Sequence, residues 1–259
     1  MIGFAIGQRK LLAVAGLLLL AAGCATTDNR QWVVDGNAAC IESTFSWPVE
    51  RSILSEIVGK HLTPRVTDGS DSGLLSLVLV DCGNTRFGET DTGPVSYARI
   101  EIPLDGAHVP WVVSGVPEDG WSFVGMIAGS PAPKPMTLLR EVGFAVVPAS
   151  VDLKLQKASE GVTLTGVVEF EQGSIAVSVT ARDGSQARSS ASVKTGRSPD
   201  RHLLWRQSSN VRDAVRARVS VSGSTPLSDL GLAPQPAAFG LTTDVRWHIA
   251  AWSAAPGTD

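Results

Sequence analysis

Few of the side chains that could carry chemistry stand in a reactive pattern. Gly120-Trp121-Ser122-Phe123-Val124-Gly125 holds a serine between two glycines. The Gly-x-Ser-x-Gly spacing that exposes a nucleophile on a strained turn is absent. No phosphate-cradling glycine loop, His-Glu-x-x-His helix or dinucleotide-binding glycine run occurs. His61, His108, His202 and His248 lack ligand spacing and there is no Cys-x-x-Cys, so neither a metal nor a cofactor is expected. Asp68, Asp71 and Gly73 lack the spacing of a calcium loop and read as turn residues. Arg212, Arg216 and Arg218 share one face of a predicted strand and could meet an anionic surface; a solvated strand face is the plainer reading. Trp111, Trp121, Trp205, Trp247 and Trp252 could line a pocket, although core packing accounts for each of them singly.

Composition narrows the class. The chain has 259 residues, 43% hydrophobic and 18% charged, with a net charge of -3. The low charge content and the 26 glycines and 15 prolines argue against a coiled coil or a disordered chain. A pI near 5.8 gives no basic field, so nucleic acid is not an expected partner. Arg9 and Lys10 precede an apolar run from Leu11 to Ala22, roughly a dozen residues long and shorter than the ~20 that a spanning helix needs. The run closes on Leu20-Ala21-Ala22-Gly23-Cys24, which resembles the bacterial lipobox: small residues let a peptidase cut before a cysteine whose thiol carries diacylglycerol. Leu20 lies one place further out than in the stringent form of the motif. The expectation is a lipoprotein signal peptide over 1–23, lipidation at Cys24, a tether to about residue 44, and a single domain over 45–255. The membrane is then the expected partner through Cys24, with the cell envelope as location, the outer membrane if the organism has one. Without Arg9 and Lys10 the 22 basic residues become 20 against 25 acidic, a net -5. Cys40 and Cys82 remain as an even pair, and an exported compartment favours a disulfide between them; two buried thiols are the alternative.

The elements that would position these residues are mostly strands. Val49, Ile53, Leu54, Ile57, Val58 and Leu62 fall on one helical face, with Pro48 in the first turn. Leu74 to Asp81 is almost continuously apolar, as in a strand buried on both faces. Strands are predicted over 95–104 and 108–114 about an Asp105-Gly106 hairpin turn, and a short helix over Met136–Glu141. Three runs follow, at 144–155, 162–170 and 174–181, then weaker ones at 187–194 and 202–207. Val211 to Val221 alternates like a strand with one wet face, Pro226 to Leu232 reads as a short helix, and a last strand covers 241–252. These elements predict one mainly-β domain with a few short helices.

Several segments, in order, carry a family resemblance. Phe45-Ser46-Trp47-Pro48-Val49 leads into the amphipathic helix, then Thr63-Pro64 and the Leu74–Val80 run. Gly93-Pro94-Val95-Ser96-Tyr97 opens the next strand. Leu139-Arg140-Glu141-Val142-Gly143-Phe144 precedes Pro148, and Ser224-Thr225-Pro226-Leu227-Ser228-Asp229-Leu230 lies near the end. Together they resemble acetoacetate decarboxylase-like domains across residues 45–252. That resemblance implies a single, mainly antiparallel, barrel- or cone-like sheet around a pocket. It also implies a Schiff-base lysine just after the proline and a glutamate in the strand opened by Gly93. Here Pro148 is followed by Ala149 and Ser150, and Tyr97 stands at the glutamate's place. A methyl and a hydroxyl cannot condense with a ketone; only a free amine can. The expected function is therefore non-enzymatic binding of a small apolar or carboxylate ligand, with Tyr97, Arg140 and Glu141 as contacts. Two alternatives stand beside it: a decarboxylase or lyase using the displaced Lys154, and a structural envelope component that contacts partner proteins.

Overall fold

The computed structural model describes residues 30–253 apart from 68, 88–89, 110–115, 131–133, 142, 160 and 198–200. The predicted signal peptide, Cys24 and Trp111 lie outside the described residues. Twelve strands dominate: β1 Arg30–Glu50, β2 Ser72–Phe87, β3 Thr90–Pro103, β4 Trp121–Gly129, β5 Val146–Pro148, β6 Ser150–Ala158, β7 Gly161–Phe170, β8 Gly173–Arg182, β9 Gln186–Thr195, β10 Arg201–Arg212, β11 Ala214–Gly223 and β12 Ala238–Ser253. Among the described residues two α-helices accompany them, α1 Arg51–Val58 and α2 Lys134–Glu141.

The order β3-β2-β1-β12-β10-β9-β4, with β4 returning to pair β3, closes a seven-stranded barrel. Closure leaves those strands no free edge. Most pairings are antiparallel; β4 runs parallel to β9 and to β5. Strands β11-β8-β7-β6 form a separate sheet. One hydrophobic cluster joins that sheet to the outer wall of the barrel: Val162, Leu164, Ile175, Val177 and Val219 share it with Phe45, Leu77, Ile100, Ile102 and Phe123. A second cluster fills the barrel, with Val78, Val80, Val95, Tyr97, Val124, Leu203, Trp205, Val245 and Trp247. A barrel strand beneath the second sheet is therefore buried on both faces. That explains the continuous apolar run in β2, where Leu75, Leu77 and Leu79 face one cluster while Val78 and Val80 face the other.

Several expectations shift. The stretch expected as tether is largely barrel, because β1 already begins at Arg30 and pairs with both β2 and β12. Trp47, Pro48 and Val49 end β1, and the helix starts two residues later, at Arg51. Asp105-Gly106 makes no hairpin: Asp105 caps a 3₁₀ turn over Gly106–His108 by accepting from the Ala107 N–H at 3.1 Å. Besides β2, β3 pairs with β4, which the apolar pattern did not announce. Glu101 pairs with Val124 and Ile100 with Met126, so Gly125 is the extra residue of a bulge that breaks the period of two. The predicted 211–221 strand is two: Arg212 ends β10, where its Nε donates to Thr243 at 3.2 Å, while Arg216 and Arg218 lie exposed on β11. The three arginines do not form one face. The predicted 226–232 helix contracts to a 3₁₀ turn over Ser228–Leu230.

The Cys40–Cys82 disulfide forms across the β1–β2 ladder, and both residues are fully buried in the barrel cluster.

Candidate functional site

Alternation along β3 builds the site. Ala98, Ile100 and Ile102 point to the outer cluster, so Val95, Tyr97, Arg99 and Glu101 point into the barrel. Val95, Tyr97 and Arg99 line an enclosed cavity together with Lys194 from β9, Leu203 and Trp205 from β10, and Trp247 and Ile249 from β12. Val124 and Ile127 of β4 complete the barrel wall. The cavity's free volume is about 30 Å³. A molecule of a few heavy atoms fits.

One end of the cavity is closed by α2 and the turn after it, through Met136, Leu139 and Phe144. The turn is set locally. Gly143 takes φ 99, its N–H donates to Arg140 O at 2.9 Å, and the Phe144 N–H donates to Leu139 O at 3.1 Å. That is a Schellman helix end, which favours glycine at the left-handed position and folds the next apolar side chain back on the helix. It buries Leu139 and Phe144 and leaves Arg140 exposed in the last turn. Arg140, expected as a ligand contact, is not among the residues lining the cavity. Glu141 is the last residue of α2, and its side chain lies outside what is described.

Beside the cavity, through the lining residues Tyr97, Arg99 and Lys194, runs a buried chain of alternating charge. Arg99 Nη1 donates to the Tyr97 hydroxyl at 3.1 Å and Nη2 to Glu42 of β1 at 3.2 Å, while Nε donates to Glu101. The other oxygen of Glu101 accepts from Lys194 Nζ at 2.8 Å. All five residues are buried. Burial alone would push the Glu101 carboxyl up, but the cations Arg99 and Lys194 override it and hold the pKa at about 2. Burial likewise works against the Arg99 charge, and Glu101, Tyr97 and Glu42 reverse that, raising its pKa above the ordinary value. Burial raises the Tyr97 phenol, so it keeps its proton. The Arg99 guanidinium also lies 4.9 Å from the Trp205 ring centroid, a cation–π distance. Trp247 packs on Trp205 at 5.5 Å between centroids. Both indoles are at least nine-tenths buried, and neither Nε1–H has a hydrogen-bond partner among the described residues.

The two positions considered for an imine-forming lysine stand elsewhere. Ala149 is buried, but it lines an open groove with Ser150, Ser130 and Glu169, separate from the barrel cavity except at Val95. Lys154 lies on β6 of the second sheet, where its side chain is 67% exposed and bonded to Asp152 at 2.7 Å. That hydrogen bond raises its pKa, the opposite of what an attacking amine requires.

Of the expected contacts, Tyr97 lines the cavity. Arg99, Glu101, Glu42 and Lys194 were not singled out from the sequence. The sequence signal for Arg99 and Glu101 is a charged residue at every second place of β3 beside an aromatic, which also describes a wet strand face; Glu42 on β1 and Lys194 on β9 carry no such signal.

No family model matches the chain, and no curated relative matches it. Solved structures do. An acetoacetate decarboxylase-like enzyme from Sphingomonas wittichii RW1 superposes with a TM-score of 0.55 at 11% identity, over 90% of this chain and 96% of that one. The enduracididine biosynthesis enzyme MppR, complexed with pyruvate, gives 0.52 at 14% identity, over 89% and 91%. An acetoacetate decarboxylase gives 0.50 at 13% identity, over 88% and 91%. The chain has the acetoacetate decarboxylase-like fold across nearly all of its described length.

Proposed function

We propose that this chain is a cell-envelope lipoprotein, anchored through Cys24, whose barrel binds a small apolar or carboxylate-bearing molecule without transforming it. The observation that carries the reading is the state of Lys194. It is the sole lysine lining the cavity among the described residues, and its Nζ is committed to Glu101. Attack on a carbonyl needs a nitrogen lone pair, and the ion pair spends that lone pair on a proton. Glu101, ionised down to about pH 2, is only a very weak base at neutral pH, and Tyr97 remains a phenol. The cavity is thus equipped to hold and not to react. MppR complexed with pyruvate supports a small carboxylate as a guest of this fold.

A second reading has one observation in its favour: Lys194 is buried, and Arg99 shares both the cavity wall and Glu101 with it. A desolvated amine near a second cation is the setting of a Schiff-base lysine, here supplied by β9 and not by the residue after Pro148. Borohydride reduction in the presence of acetoacetate separates the two. The expected result is no covalent adduct by intact mass. An adduct that maps to Lys194 and vanishes in Lys194→Met would replace binding by imine chemistry.

The anchor has its own test. Radiolabelled palmitate is expected to label the wild-type chain in a bacterial host and not the Cys24→Ser variant, which should leave the membrane fraction. Two or more acyl chains hold stably where one is marginal. Equal membrane retention of both proteins would refute the anchor.

A further inference from the structure

Outside the barrel, strands β10 and β12 carry an arrangement that the cavity does not use. Trp205, Trp247 and Ile249 point into the barrel, so Arg206, Arg246 and His248 beside them point outward. These three line an open groove together with Ser189 of β9 and Ser208 of β10. Register places Arg206 between Ala191 and His248 and sets Arg246 opposite Ser208. Neither arginine therefore meets a carboxylate across the β9–β10–β12 ladders, although like charges on neighbouring strands destabilise a sheet. No described groove residue is acidic. Asp244, close by on β12, accepts from Asn210 Nδ2 at 3.0 Å and from Thr243 Oγ1 at 3.4 Å. Asp35 of β1 stands opposite His248, on the side away from Arg206. Both arginines are exposed, and neither has an ion pair or side-chain hydrogen bond among the described residues.

From this we infer that the groove docks an anionic phospholipid headgroup, with its phosphate between Arg206 and Arg246 and with Ser189 and Ser208 as hydroxyl donors. The inference rests on the lipid anchor proposed above and names the side of the barrel that the anchor brings to the bilayer. A guanidinium presents forked donors that suit phosphate oxygens. Two of them on neighbouring strands are held within reach of one such group. Arg30, where β1 begins, is six residues after Cys24, a leash of at most ~22 Å. Asp35, opposite His248, is five residues further along the strand, about 17 Å. The face that bears the groove is thus close enough to the anchor to lie on the headgroups. An exposed pair of arginines binds a dissolved anion weakly, because water and salt screen it. A tether supplies a high local concentration of headgroups, so the same pair is effective beside its own anchor. That argument favours a lipid over a free phosphate.

The experiment reconstitutes the full acylated chain into phosphatidylcholine vesicles, with or without one third phosphatidylglycerol. With Cys24 acylated and Cys40 bonded to Cys82, an introduced cysteine is the free thiol. Ser189→Cys at the groove and Lys154→Cys on the second sheet, both exposed positions, each carry a bimane label. A lipid with a nitroxide headgroup quenches the label on contact. With phosphatidylglycerol present, quenching is expected to be at least threefold stronger at Ser189→Cys than at Lys154→Cys. The difference should fall to less than half in phosphatidylcholine alone, in about 1 M salt, and in Arg206→Gln/Arg246→Gln. Those two substitutions lie outside the barrel cavity and should leave the thermal midpoint unchanged. Equal quenching at the two sites, or a difference that survives the double substitution, overturns the inference. So does release of the groove by inorganic phosphate at an ionic strength where chloride has no effect, since a dissolved phosphate is then the occupant. Flotation with pure phosphatidylcholine reads the anchor by itself. A chain that floats there without groove contact keeps the anchor reading and loses this inference. A chain that does not float there refutes the anchor, and the groove then stands only if phosphatidylglycerol restores a flotation that the double variant lacks.

Discussion

Arg99→Met should destabilise the protein by about 3–5 kcal/mol, the cost of removing one partner from a buried ion network. The side chain satisfies three groups at once, and the consequences differ among them. Glu101 keeps Lys194 as a partner. Glu42 accepts from Arg99 and from no other described residue, so its buried carboxylate is left to find water or a proton. Tyr97 loses the donor to its oxygen. A loss of this size is a large share of a typical 5–15 kcal/mol total, and it should appear as a lowered urea midpoint at unchanged slope. Lys194→Met should cost less, because Glu101 retains the guanidinium. Adding Glu42→Gln to Arg99→Met should recover part of the loss, since the uncompensated charge goes with it. An Arg99→Met protein within about 1 kcal/mol of wild type would mean that water already reaches these groups and that the cavity is not dry.

The Cys40–Cys82 bond should contribute up to about 4 kcal/mol, the chain-entropy value for a loop of its size; the two residues are 42 apart in sequence. For a domain of this length, each kcal/mol moves the thermal midpoint by about 2–4 °C. The Cys40→Ala/Cys82→Ala variant is then expected to melt roughly 8–16 °C lower. The bond ties β1 to β2 where their register breaks, between Gly36 and Ile41, so it secures the ladder at its irregular point. Because both sulfurs are fully buried, reductant should act only after partial unfolding. A double variant with an unchanged midpoint would show that the barrel closes without its covalent tie.

Much of the architecture was legible beforehand because its signals are local. Alternation marked β7, β8 and β12, and the amphipathic Ile53–Val58 face marked α1, although its start lay two residues on. The cystine followed from parity and compartment. The resemblance in the segments around Trp47-Pro48, Gly93-Pro94 and Gly143-Phe144 pointed to the fold that the solved structures share. The misses have physical causes too. Strand β4 escaped because the Gly125 bulge breaks its period of two. Arg140 was set beside the ligand by analogy, whereas the Schellman turn at Gly143 sends Leu139 and Phe144 inward and Arg140 out. Lys154 was weighed by its distance in sequence from Pro148, and it belongs to a different sheet from the cavity walls.

From composition, periodicity, cysteine parity and turn residues came a mainly-β domain, an expected envelope address and a cystine. Tertiary structure alone decided what lies on each side of β3. The period of two separates Tyr97, Arg99 and Glu101 from Ala98, Ile100 and Ile102, but it does not say which set meets water. Closure of β3 on β4 turned the charged set into the barrel, and the second sheet covered the apolar set. Only that closure brings Lys194 within 2.8 Å of a carboxylate 93 residues away. The charge and hydrogen-bond pattern of the cavity is a property of contacts between distant strands, which no local pattern encodes.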